Sequence, residues 1–166
     1  MRIQASRTSL AFALALATLI GLPGLAVAKS KSFKGTFGPI KFNAANLKQS
    51  IVASLQFGNA GFIVTGSMRQ GRLNLVQVTV VCATPGGPTV GTTYACAGTI
   101  LQGGLSGTPR GWTTDDQLQV TITKFNGKRI AGTFAGTLEN VGETNPPGDG
   151  PISVTNGKFA AKIAGG

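Results

Sequence analysis

Apolar and polar residues alternate with a period of two over much of this chain. Leu118, Val120 and Ile122 alternate with Gln117, Gln119, Thr121 and Thr123, which is the pattern of a strand with one face in a core and one in water. Ile51, Ala53, Leu55 and Phe57 share one face of an earlier run. Ile130, Phe134 and Leu138 share one face of a later run, with Gly132 and Gly136 between them. A missing side chain there leaves room for a facing group or a bend. Asn126-Gly127 separates the 117–125 and 129–138 runs and predicts a two-residue hairpin turn, because both residue types accept φ > 0. In the last segment Ile152 and Val154 hold one parity, and Phe159, Ala161 and Ile163 hold the other. One extra residue at Asn156-Gly157, a β-bulge, restores the phase. A tight hairpin is the alternative.

Further strands are expected at 32–42, 50–57, 61–67, 73–82 and 94–101, with a helical turn within 43–49. The long connections, 83–91, 102–114 and 139–150, are rich in Gly, Pro, Thr or Asn. There is no long amphipathic helix and no fixed-period repeat. About eight short strands predict a single antiparallel β-sandwich or barrel over residues 29–166. The interior of a barrel would either hold an apolar ligand or be filled by Phe33, Phe37, Phe57, Phe134 and Phe159.

The N-terminus breaks the alternation. Arg2 and Arg7 precede an apolar run from Leu10 to about Leu22, Pro23-Gly24 ends it, and Ala26-Val27-Ala28 offers small residues at the positions a signal peptidase reads. This predicts a cleavable signal peptide over residues 1–28. The alternative is an uncleaved anchor, since 10–28 approaches the roughly 20 residues that span a bilayer. No Cys follows Ala28 to carry a lipid, and Arg2 and Arg7 are not adjacent as a twin-arginine signal requires. The expected destination is the periplasm, the cell surface or the extracellular space.

Cleavage would leave 138 residues. It would also remove Arg2 and Arg7, taking the formal charge from +10 to +8. The sequence has no histidine, so His-based triads, His general bases and His metal sites are excluded. The acids are Asp115, Asp116, Glu139, Glu143 and Asp149. Asp115-Asp116 is expected to cap the strand at Gln117. Glu143, Asn145 and Asp149 share a loop whose spacing fits no calcium motif. There is no G-x-S-x-G. The sequence therefore predicts neither catalysis nor a metal or other cofactor.

Cys82 and Cys96 are the only cysteines. In an oxidising compartment a lone pair bonds, here across a Pro/Gly-rich loop. The spacing is not C-x-x-C and no basic residue lies between them to favour a thiolate. A structural disulfide is the expectation.

Two features point to binding. Lys29, Lys31 and Lys34 cluster at the expected mature N-terminus, Arg69 and Arg72 flank a turn, and Lys128 and Arg129 follow the Asn-Gly pair. Such residues attract an anionic cell-envelope polymer or a lipid surface. They equally form a solvated basic surface that aids solubility. Few aromatic residues interleave with them, which disfavours nucleic acid. Arg110 and Trp112 lie in the 102–114 segment. Read as a loop, it makes them candidates for recognising a ligand or another protein, or makes Trp112 a lid over the core. The expected function is an exported, non-catalytic binding or interaction module. The alternative is a structural or assembly component of a bacterial cell surface or extracellular matrix, built through edge-to-edge strand pairing.

The segments VTITKFNGKRIAGTFAGTL (120–138) and ISVTNGKFAAKI (152–163) resemble small exported bacterial β-proteins catalogued as a domain of unknown function. The resemblance covers about 117–163 and continues weakly upstream through KFNA (41–44) and GTTY (91–94). It implies a β-sandwich or barrel and export from a bacterium. Many such proteins look like lipoproteins. The resemblance brings no active site, and the shared residues have structural roles: Asn and Gly in turns, Phe in the core, Thr on outer faces.

Overall fold

The computed structural model describes residues 32–44, 51–56, 60–70, 74–104, 109–141 and 149–164. The segment expected to be a signal peptide, Lys29, Lys31, Phe57, Arg72 and Glu143 lie outside these residues, as does most of the helical turn expected at 43–49.

Among the described residues nine strands form one antiparallel sheet, curled into a half-barrel. They are β1 (Ser32–Phe37), β2 (Ile40–Asn43), β3 (Ile51–Gln56), β4 (Gly61–Gln70), β5 (Asn74–Ala83), β6 (Thr93–Gly104), β7 (Arg110–Phe125), β8 (Arg129–Asn140) and β9 (Ile152–Lys162). Their order across the sheet is β2-β1-β9-β8-β7-β6-β5-β4-β3. The extra strand comes from 32–42, expected as one strand. As a single strand it would place Phe33 and Phe37 on one face and Phe42 and Ile40 on the other. Instead Phe37 pairs with Ile40 across Gly38-Pro39, and the hairpin puts all four on the buried face. Gly38 has φ 52° at the first loop position, where a type II′ turn places glycine.

The concave side is filled by rings. Phe33 lies 5.4 Å from both Phe42 and Phe134, and Phe62 lies 6.0 Å from Phe159. Phe33, Phe37, Phe42, Phe62, Phe134 and Phe159 are all buried, so this interior is occupied by the chain's own side chains. Glycines make room for them, Gly66 from across the concave side and Gly132 on the adjacent strand. A Cβ at Gly66 would fall 2.8 Å from the Phe33 ring, and one at Gly132 would fall 2.7 Å from the Phe159 ring.

The C-terminal hairpins follow the alternation. Leu118, Val120, Ile122, Ile130, Phe134 and Leu138 are buried. The turn at Asn126-Gly127 sits one residue further on than expected. The Asn126 amide donates to the Arg129 carbonyl at 3.2 Å, leaving Gly127-Lys128 as the loop. Gly127 has φ 74°, while the Asn126 side chain accepts from the Lys128 and Arg129 amides at 3.2 and 2.9 Å. The bulge in β9 is present. Lys34 and Thr36 face Lys158 and Thr155, so β9 carries one extra residue there. Asn156 has φ 54°, and burial switches from Ile152 and Val154 to Phe159, Ala161 and Ile163.

β7 departs from expectation. It is continuous over 16 residues, so Asp115-Asp116 lies inside it rather than at a strand start. Between Thr113 and Gln119 it carries two residues more than β8 does between Ala135 and Glu139. The resulting bulge exposes both aspartates and sends Leu118 over Gly98, where a Cβ would collide with it.

Cys82 and Cys96 face each other directly across β5 and β6, with Cα atoms 4.5 Å apart, and are joined as a buried disulfide. The bond ties the two strands at the end where loop 84–92 connects them.

Candidate functional site

Arg110 and Trp112 are strand residues, not loop residues. Gly103 and Gly111, which suggested a loop, pair within the sheet opposite Leu75 and Leu101. Trp112 points inward and is only 4% exposed. Its indole N–H donates to the Gly150 carbonyl at 3.1 Å. Arg110 Nε lies 3.5 Å from Asp149 Oδ2, in a partly exposed pair. The Asn140 side-chain amide donates to the Asp149 carbonyl, and the Val141 amide donates to Gly111 at 3.1 Å. Together these contacts fasten the segment before β9 onto the start of β7 and the end of β8. The open cleft beside them holds Arg110 and Asp149 already matched to one another. Among the described residues nothing there pairs a nucleophile with a base.

The basic residues are arranged differently. β3, β4, β5 and β6 carry Arg69 and no other charged residue among those described. Their outer face instead presents a row of threonines, Thr65, Thr79, Thr99 and Thr113, continued onto β7. Thr65 and Thr79 share a hydrogen bond at 3.2 Å, as do Thr99 and Thr113. Positive charge gathers on the outer face of the other half. Lys34 on β1 stands directly opposite Lys158 on β9. Arg129 on β8 stands directly opposite Lys162 on β9. Lys124 on β7 faces Ala131, one row away, and Lys128 sits in the adjoining turn. All six basic side chains are exposed.

The geometry thus unites three of the residues singled out from sequence, Lys34, Lys128 and Arg129, and adds Lys124, Lys158 and Lys162. The last two were detectable, because Phe159, Ala161 and Ile163 on the inner face force Lys158 and Lys162 outward. Arg69 belongs to the other half of the sheet, next to Met68, whose sulfur accepts the Asn43 amide at 3.4 Å.

Two like-charged pairs in direct register oppose folding by about 0.2–1 kcal/mol each. Lysine on an edge strand has a protective use, but β8 and β9 are interior strands, so that use does not account for these pairs. Nor do the described acids neutralise them. Glu139 lies ten residues along β8 from Arg129, about 30 Å at strand rise. That exceeds the screening length of about 8 Å at physiological ionic strength. Asp115 and Asp116 lie toward the same far end of β7, and Asp149 precedes β9. Among the described residues the one ion pair is Arg110–Asp149, leaving this basic group without a carboxylate partner.

The described aromatic residues offer no stacking platform on this face. Trp112 and the six core phenylalanines are buried, and Tyr94 and Phe125 pack half-buried against the core. Comparison with family models, with curated proteins and with solved structures finds no match for this chain.

Proposed function

We propose that this protein is an exported, non-catalytic binding module that holds an anionic partner on the outer face of β1, β9, β8 and β7. The observation that carries the reading is the cross-strand register of Lys34 with Lys158 and of Arg129 with Lys162. Like charges set directly opposite on interior strands disfavour the free protein. An anion that bridges them turns that cost into affinity, and counterions released from it add to the gain. The signal-peptide pattern at residues 1–28 supports delivery outside the cytoplasm, where envelope polymers and lipid surfaces carry negative charge. The disulfide suits the same destination.

We also read the half-barrel as a barrel brought toward closure at one end of β9, rather than as a two-sheet sandwich. Support comes from the bridge between Ala53 and Ile163 and from the Ala164 amide donating to the Ala53 carbonyl at 2.9 Å. The Phe-filled interior favours a partner on the outside of the wall rather than within it.

Retention on a heparin column tests the binding reading. The wild-type protein is expected to elute at clearly higher salt than the Lys158→Gln/Lys162→Gln double variant. Equal elution of the two, or passage of the wild type without retention at low salt, refutes it.

A further inference from the structure

We propose that the basic face is a track for a linear polyanion lying along β9, and not a membrane-docking surface. The inference rests on the binding reading above and names its partner class. The charges fall in two clusters. One is the Lys34–Lys158 pair, with Lys41 exposed on the adjoining β2. The other is the Arg129–Lys162 pair with Lys124 beside it. Lys158 and Lys162 are four residues apart on an unbulged stretch of β9, which separates the clusters by about 13 Å at strand rise. Between them runs a cross-strand row of small residues, Ser32, Ala160 and Ala131. A shallow depression of about 60 Å³ opens there beside Lys124, Arg129 and Lys162. A chain of anionic groups fits this layout, with one group seated among Lys124, Arg129 and Lys162 and a later group reaching Lys34 and Lys158.

The curvature favours a chain over a bilayer. These side chains stand on the convex side of a curled sheet, which a flat surface meets along a narrow strip and a flexible chain can follow. Bilayer docking also gains from apolar side chains entering the acyl boundary. Here the ground between the clusters is serine and alanine. The arginine's planar fork suits phosphate, sulfate and carboxylate alike, so the shared chemistry is that of a linear polyanion.

The test is a binding series at fixed ionic strength. It uses tripolyphosphate, polyphosphates of increasing length, heparin and polyglutamate, with phosphatidylglycerol vesicles as the membrane arm. Affinity per chain is expected to rise at least about tenfold once a polyphosphate spans both clusters, as linked sites do. The Lys34→Gln/Lys158→Gln variant should gain affinity with length only in proportion to the number of phosphates. Near-UV circular dichroism confirms that its fold is intact. Comparison of polyphosphate, heparin and polyglutamate identifies the anionic group preferred. Affinity that grows only in proportion to the number of phosphates, or a double variant that keeps the length gain, overturns the track. So does tighter partition to vesicles than to any polymer. In those outcomes the basic face still binds anions and the broader reading stands. Absence of binding to every probe at low salt overturns both.

Discussion

The disulfide offers a prediction whose size can be worked from the structure. Cys82 and Cys96 are 14 positions apart, so the bond closes a loop of 15 residues. In the chain-entropy description, closing such a loop removes about 3 kcal/mol of freedom from the unfolded chain at room temperature. The native state needs the bond little, because nine cross-strand pairs from Asn74–Gly104 to Cys82–Cys96 already fix the register of β5 on β6. Reduction should therefore leave near-UV circular dichroism unchanged and lower the stability measured by urea unfolding by about 3 kcal/mol. For a domain of this size that is a fall of about 10 °C in melting temperature. The urea m-value should rise, since an uncrosslinked unfolded chain exposes more surface. The Cys82→Ala/Cys96→Ala variant should lose a further 1 kcal/mol or so, because it also removes two buried sulfur atoms. The order of stability is then oxidised, reduced, double alanine. If reduction lowers stability with no change in m, or the reduced protein loses its near-UV signal, the bond acts on the native state and the reasoning fails.

Other expectations follow from particular contacts. Gly157→Ala should cost about 1–3 kcal/mol or more, read as a fall in melting temperature, because the new Cβ would strike the Phe134 carbonyl and lie 2.5 Å from its ring. Asn156→Val should destabilise by about 1–2 kcal/mol in urea unfolding, whereas Asn156→Gly should be close to neutral, since the position has φ 54°. Trp112→Phe keeps a ring in the core but strips the Gly150 carbonyl of its 3.1 Å donor, at a cost of about 1 kcal/mol. The wild-type Trp112 fluorescence should be blue-shifted and move red on unfolding. Lys158→Gln and Lys162→Gln should each raise stability by about 0.2–1 kcal/mol at low salt, and 1 M salt should shrink the gain.

Much of the C-terminal half was legible in the sequence because its alternation is strict. Leu118, Val120 and Ile122 are buried where the period of two puts them. The change of parity between Val154 and Phe159 marked the bulge at Asn156. Two of the departures share a cause, glycine that is compatible with more than one backbone. Gly38 turns the chain within a run that looks like one strand. Gly103 and Gly111 do the opposite, pairing inside strands within a segment that reads as loop, which is why Arg110 and Trp112 were misplaced. The basic face was half legible. Which lysines point outward follows from parity along each strand. That Lys34 meets Lys158, and Arg129 meets Lys162, depends on register between strands, and the pairing of β1 with β9 joins opposite ends of the domain.

That pairing also leaves the sheet with unequal borders. β2 is four residues long, with Lys41 on its outer face. β3, at the other border, has Ala53 already engaged by Ile163 and Ala164. A second molecule seeking to extend the sheet would find at β2 only a short template carrying a repelling charge, and at β3 one interrupted at its middle. Fibril-like growth from these borders is therefore disfavoured from the start. Concentrated protein should stay filterable and fail to seed thioflavin-positive aggregates until β3 is freed from β9, for example by removing residues 163–166.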